Sequence, residues 1–162
     1  MKRKTAYLGL FAAVAIIFGY VESLIPVFTG IPVIKPGLAN LAVLFILNRY
    51  SFKEAALVSV VRILVIGFMF GNLASIMYSL AGGLLSLTVM DLLKKHSCFS
   101  LIGISVAGGV THNIGQLIVA MIVVSNTSLM IYAPALLVAG VLAGILIGGL
   151  TKEVVGRLPL NL

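Results

Sequence analysis

Long apolar runs, separated by Lys and Arg clusters that fall on one side of an alternating thread, restrict this chain to a helical membrane protein. The runs cover about residues 5–21, 38–47, 55–71, 73–93, 101–124 and 129–150. With the N-terminus placed inside, Lys2, Arg3, Lys4, Arg49, Lys53, Lys94, Lys95, Lys152 and Arg157 all lie on the cytoplasmic side. Only Lys35 falls outside, and Arg62 lies within a run. The expected fold is therefore all-α integral membrane, a single transmembrane domain over residues 1–162 with six transmembrane helices and both termini cytoplasmic. The runs lack the strict alternation of a transmembrane strand, which argues against a barrel. The first run follows a basic cluster, as a signal peptide does, but Glu22-Ser23-Leu24-Ile25-Pro26 offers no small-x-small cleavage site, so an uncleaved helix is expected. The second run is short for a span, and Pro36 is placed to serve as its first helical residue.

Composition agrees with this threading. Hydrophobic residues make up 61% of the chain and charged residues 9%, and the mean hydropathy is +1.23, which leaves too little polar surface to coat a soluble globule. The net charge of +7 would suggest nucleic acid in a soluble protein. Here the basic residues sit in short loops as positive-inside charges, so nucleic-acid binding is not expected. Cys98 is the single cysteine and excludes an intrachain disulfide or a cysteine-built cluster. There is no Trp, so anchoring at the membrane interface falls to Tyr7, Tyr20, Tyr50 and Tyr132.

Polar groups at membrane depth are costly, and each is a candidate site residue. Arg62 lies about 10 Å along its run at 1.5 Å per residue. A guanidinium there requires a carboxylate, carbonyls, water or an anionic ligand; Glu22, at the outer end of the first run, is the available intraprotein partner, and pairing and ligand binding both stay open. His112, Asn113 and Gln116 fall near the middle of their run, with His112 and Gln116 on one face. Three such groups either line a substrate cavity or tie neighbouring helices together. A haem site fits poorly, because His96 lies at the cytoplasmic edge and His112 near the midplane. Asn40 in the second run and Asn72 at the outer turn between the third and fourth complete the candidate set. The outer loop 26–37 is apolar and carries three prolines, which suggests a lid over the outer mouth; Lys35 would then either attract an anion or contact a lipid headgroup.

Small residues recur at helix-packing spacing, with Gly140, Gly144 and Gly148 on the last run and Gly9 and Ala13 on the first. Such ridges either pack inside the bundle or dock another membrane subunit.

Five stretches carry a family resemblance: Glu22-Ser23-Leu24-Ile25-Pro26; Lys35-Pro36-Gly37 followed by Leu38-Ala39-Asn40; Arg62; Ser79-Leu80-Ala81-Gly82-Gly83 with Ser86 and Met90; and His112-Asn113-Ile114-Gly115-Gln116. Together they make the chain resemble the bacterial membrane family labelled heptaprenyl diphosphate synthase component I, also called the Gx transporter family. That family is similar in size and six-helix layout to the S components of energy-coupling-factor vitamin transporters, and some members are associated with flavin-based extracellular electron transfer. The resemblance implies an S-component-like bundle in the bacterial cytoplasmic membrane. It also implies a small-molecule ligand, surrounding lipid, and a transmembrane coupling subunit with an ATPase module as partners; no cofactor is assigned.

The residues weigh against prenyl-elongating catalysis, which holds magnesium on several carboxylates. Asp91 is the only aspartate, and no nucleotide-binding glycine loop is present. The expected function is a non-enzymatic substrate-binding membrane subunit for uptake of a small anionic or amphipathic molecule of vitamin, flavin or isoprenoid type. Two alternatives stand beside it: a membrane component of a quinone- or flavin-linked electron-transfer assembly, and a noncatalytic accessory of heptaprenyl diphosphate or menaquinone synthesis.

Overall fold

The computed structural model describes residues 2–24, 37–96 and 98–157, with side chains from residue 4 onward. All regular structure in it is helical: α1 (Lys2–Leu24), α2 (Leu38–Arg49), α3 (Phe52–Phe70), α4 (Leu73–Lys95), α5 (Leu101–Val124) and α6 (Ala133–Arg157), with a 3-10 turn at Thr127–Tyr132 before α6. Among the described residues, four stretches are long and apolar enough to cross a membrane: Lys4–Leu24, Leu73–Lys95, Leu101–Val124 and Thr127–Arg157. Large apolar side chains face outward on these helices, including Leu10, Ile17, Leu92, Ile122, Leu142 and Leu146. Water does not tolerate so continuous an apolar exterior, whereas lipid does. The chain is a membrane protein.

The organising element is the shortest helix. In α2, Ala39 and the whole run Ala42 to Leu47 are buried, because α1, α3 and α6 all pack against it. A helix apolar on every side belongs in a core, and Phe45 seats its ring 4.7 Å from that of Phe11 on α1. Both ends of α2 meet a charge of the sign that its dipole favours. At the N-terminus, the Glu22 carboxylate accepts from the Leu38 amide. At the C-terminus, Lys94 Nζ donates to the carbonyls of Leu47 at 2.5 Å and Asn48 at 3.2 Å. Gly37 forms the N-cap in the left-handed region (φ 75°), a conformation that favours glycine. The helix starts at Leu38; Pro36, offered by the sequence as its first residue, lies outside the described residues.

Around this core run α1, α3, α4, α5 and α6, each packed on the next. The α6 ridge is explained by what it meets. A Cβ on Gly144 would lie 2.4 Å from Val106 Cα, one on Gly148 2.8 Å from Ile102 Cα, and one on Gly140 2.8 Å from the Gly109 carbonyl oxygen. These glycines let the backbones of α5 and α6 touch. Of the two readings open for Gly140, Gly144 and Gly148, packing inside the bundle is the one seen here, with α5 of the same chain against them. Gly9 and Ala13 face outward, with open space beside Gly9.

At the end of the bundle that carries the basic clusters, Lys4 Nζ meets Glu54 Oε1 at 2.5 Å and ties α1 to α3. The hydrogen bond from Lys4, reinforced by one from the Ser51 hydroxyl, lowers the Glu54 carboxyl to about 2. A depressed folded-state value means that the carboxylate contributes stability fully above its ordinary value and loses it as pH falls toward 2. Glu54→Gln should therefore melt below the parent at pH 7 and approach it as pH falls from about 5 to 2. Parallel thermal melts check this; a gap that is constant with pH would contradict it. Asp91 pairs with Lys95 one turn on at 2.7 Å, a surface role.

Candidate functional site

A helix of 12 residues rises about 18 Å, well short of a hydrocarbon core about 30 Å thick. The centre of the bundle is therefore left unfilled beyond the N-terminus of α2, and there a cavity of about 120 Å³ opens. Its wall is drawn from every helix: Gly19, Glu22 and Ser23 of α1, Asn40 of α2, Arg62 and Ile66 of α3, Ser75 and Ser79 of α4, His112, Asn113 and Gln116 of α5, and Gly140 and Ala143 of α6.

Six of the residues singled out from the sequence thus line one space: Glu22, Asn40, Arg62, His112, Asn113 and Gln116. Arg62 Nη2 donates to Asn40 Oδ1 at 2.9 Å. Its Nε is buried and has no hydrogen-bond partner among the described residues. Glu22 is 7% exposed, and its carboxylate is the charge that bears on the Arg62 guanidinium. The two readings of Arg62 are therefore not exclusive, for it has an intraprotein counter-charge and also borders a space that can hold a ligand. Asn113 likewise does both, lining the cavity while Nδ2 donates to the Leu136 carbonyl on α6 at 2.7 Å.

Close helix approach brings α5 into place. A Cβ on Gly82 would fall 2.6 Å from the His112 carbonyl oxygen and 2.7 Å from Gln116 Cγ, so only a residue without a side chain lets α4 reach the stretch that carries the polar groups. On the other side, Gly109 abuts Gly140.

Two candidates fall elsewhere. Asn72 is the N-cap of α4: its side chain accepts from the Ser75 amide at 2.8 Å, while Ser75 Oγ accepts from the Asn72 amide at 3.0 Å. It does not belong to the cavity wall and serves the helix start. Lys35 and the lid expected over 26–37 lie outside the described residues, apart from Gly37, which borders the cavity. Ser75 and Ser79 were missed as site residues. They stand four residues apart on one face of α4, a signal available in the sequence but easily read as helix packing.

No group of three His, Cys, Asp or Glu side chains able to hold a metal comes together among the described residues. What the wall offers is hydrogen bonding: a guanidinium, a carboxylate, an imidazole, three amides and serine hydroxyls around a space roomy enough for water or a small polar group.

A family model described as heptaprenyl diphosphate synthase component I matches residues 11–154. That span is most of the chain, which belongs to this family. No curated protein and no solved structure matches it.

Proposed function

We propose that this member of the heptaprenyl diphosphate synthase component I family is a non-enzymatic, substrate-binding membrane subunit. It takes up a small anionic or amphipathic molecule and is energised by a separate module. The observation that carries this reading is the cavity at the N-terminus of α2, where six strongly hydrogen-bonding side chains from four helices converge at membrane depth. Lone helix ties would scatter such groups over several interfaces, whereas a binding site gathers them. The volume of about 120 Å³ is below the range of drug-sized sites, so it fits a small molecule or the head group of a larger one.

In this reading the chain crosses the bacterial cytoplasmic membrane six times, α2 accounting as a helix for only part of its crossing, with the basic end of the bundle and both termini in the cytoplasm and the cavity in the outer half. The cluster of Lys4, Arg49, Lys94 and Lys152 at that end supports the orientation. With Cys98 replaced, a single cysteine at position 127 should label from outside intact cells and one at position 152 should not. The reverse pattern would overturn the topology.

A second reading, a noncatalytic partner in prenyl diphosphate synthesis, is favoured by the family description. Purification from native membranes, followed by mass spectrometry of the bound small molecules and of co-purifying proteins, separates the two. A stoichiometric small molecule supports the binding subunit. A soluble prenyl synthase in its place supports the accessory role, and bound flavin or quinone would keep electron transfer standing beside the binding subunit.

A further inference from the structure

We propose that Glu22 is the cavity's own anion, so that the part of the ligand buried there is net neutral and presents an acceptor oxygen to Arg62. This rests on the binding reading above and selects between the ligand classes which that reading admits. Two features of the site would each draw a ligand anion: the N-terminus of α2, whose amides carry partial positive charge, and the Arg62 guanidinium. Both already face one carboxylate. Glu22, 7% exposed, accepts from the Leu38 amide that opens α2 and acts electrostatically on Arg62. Among the described wall residues, Glu22 is the one carboxylate and Arg62 the one guanidinium, while the amide and hydroxyl side chains add no charge. An incoming anion would meet repulsion from Glu22 as well as attraction from Arg62, in a setting that screens neither well. The Arg62 guanidinium, which lines the cavity, carries more N–H donors than the one that meets Asn40. A carbonyl, hydroxyl or amide oxygen supplies an acceptor without a second negative charge, and a zwitterionic head group does the same while staying net neutral.

Acetate serves as the probe, because it reproduces the carboxylate that Glu22 supplies. Glu22→Gln keeps the shape of the side chain and an oxygen to accept from Leu38, but it removes the charge that balances Arg62. In NMR titrations of the full chain in detergent with carbon-13 acetate, Glu22→Gln should bind at least about ten-fold more tightly than the parent, and adding Arg62→Met should abolish the gain. Glu22→Ser, which retains a hydroxyl acceptor, serves as a second variant on the same criterion. Equal or tighter acetate binding by the parent would overturn the assignment. The compound that co-purifies with the parent provides an independent measurement: a net-neutral molecule or head group supports the assignment, and an acid seated in the cavity overturns it. The two readings fail separately. An acid bound to the parent leaves the binding subunit standing and removes Glu22 as its anion, whereas selective acetate binding by Glu22→Gln with no co-purifying molecule does the opposite.

Discussion

Arg62→Met is expected to abolish retention of the bound molecule and to cost about 3 kcal/mol of stability, because it leaves the Glu22 carboxylate in a low-dielectric site without its counter-charge. Arg62→Lys separates the two effects. An ammonium still balances Glu22, so the protein should insert and stay monodisperse. It lacks the planar fork that reaches Asn40 with Nη2 and borders the cavity, and ligand affinity should fall at least ten-fold, or about 1.4 kcal/mol. Equilibrium binding on folded variants, alongside denaturation of each, gives both numbers. Parent-like affinity in Arg62→Lys would make the guanidinium a tie between α2 and α3 and no more.

The second large effect is expected far from any ligand. Gly144→Val places a branched side chain where a Cβ would already be 2.4 Å from Val106 Cα and 2.9 Å from the Ser105 carbonyl oxygen. Both obstacles are backbone, so neither can rotate aside, and α6 must move off α5. Overpacking of this kind costs typically about 1–3 kcal/mol, and the rigid obstacle places Gly144→Val at or above about 3 kcal/mol. Gly9→Ala, which meets nothing within 4 Å, should be close to neutral. Unfolding of the detergent-solubilised proteins measures the contrast. Equal stability of the two variants would mean that the α5 and α6 backbones are not in the contact described.

Helix number, the places of the turns and the candidate polar groups could be read in the sequence because each is a local signal. Continuous apolar runs mark helices, and Arg62 or His112 within such a run is conspicuous wherever the run packs. Helix ends were less legible. α1 runs to Leu24, three residues beyond the expected end, since nothing in Glu22-Ser23-Leu24 stops a helix. The role of α2 was hidden as well. Twelve residues look too few for a span, and only the packing of α1, α3 and α6 around them shows that the shortness creates the cavity. The glycine ridge of α6 was ambiguous because small residues pack against whichever surface comes near; α5 decided it. Asn72 was misjudged although its signal was local. An Asn followed three residues later by Ser, just before an apolar run, is the pattern of a helix cap.

Native mass spectrometry of the intact chain ejected from its own membrane tests the central claim most directly, because it reports whether the cavity holds a molecule without presupposing which. The parent should appear with one small-molecule adduct, and the adduct should be lost or sharply reduced in His112→Ala and Gln116→Ala variants that remain folded. A parent that emerges bare, or an adduct that persists unchanged in both variants, would contradict the account and leave the polar side chains around α2 as structural ties.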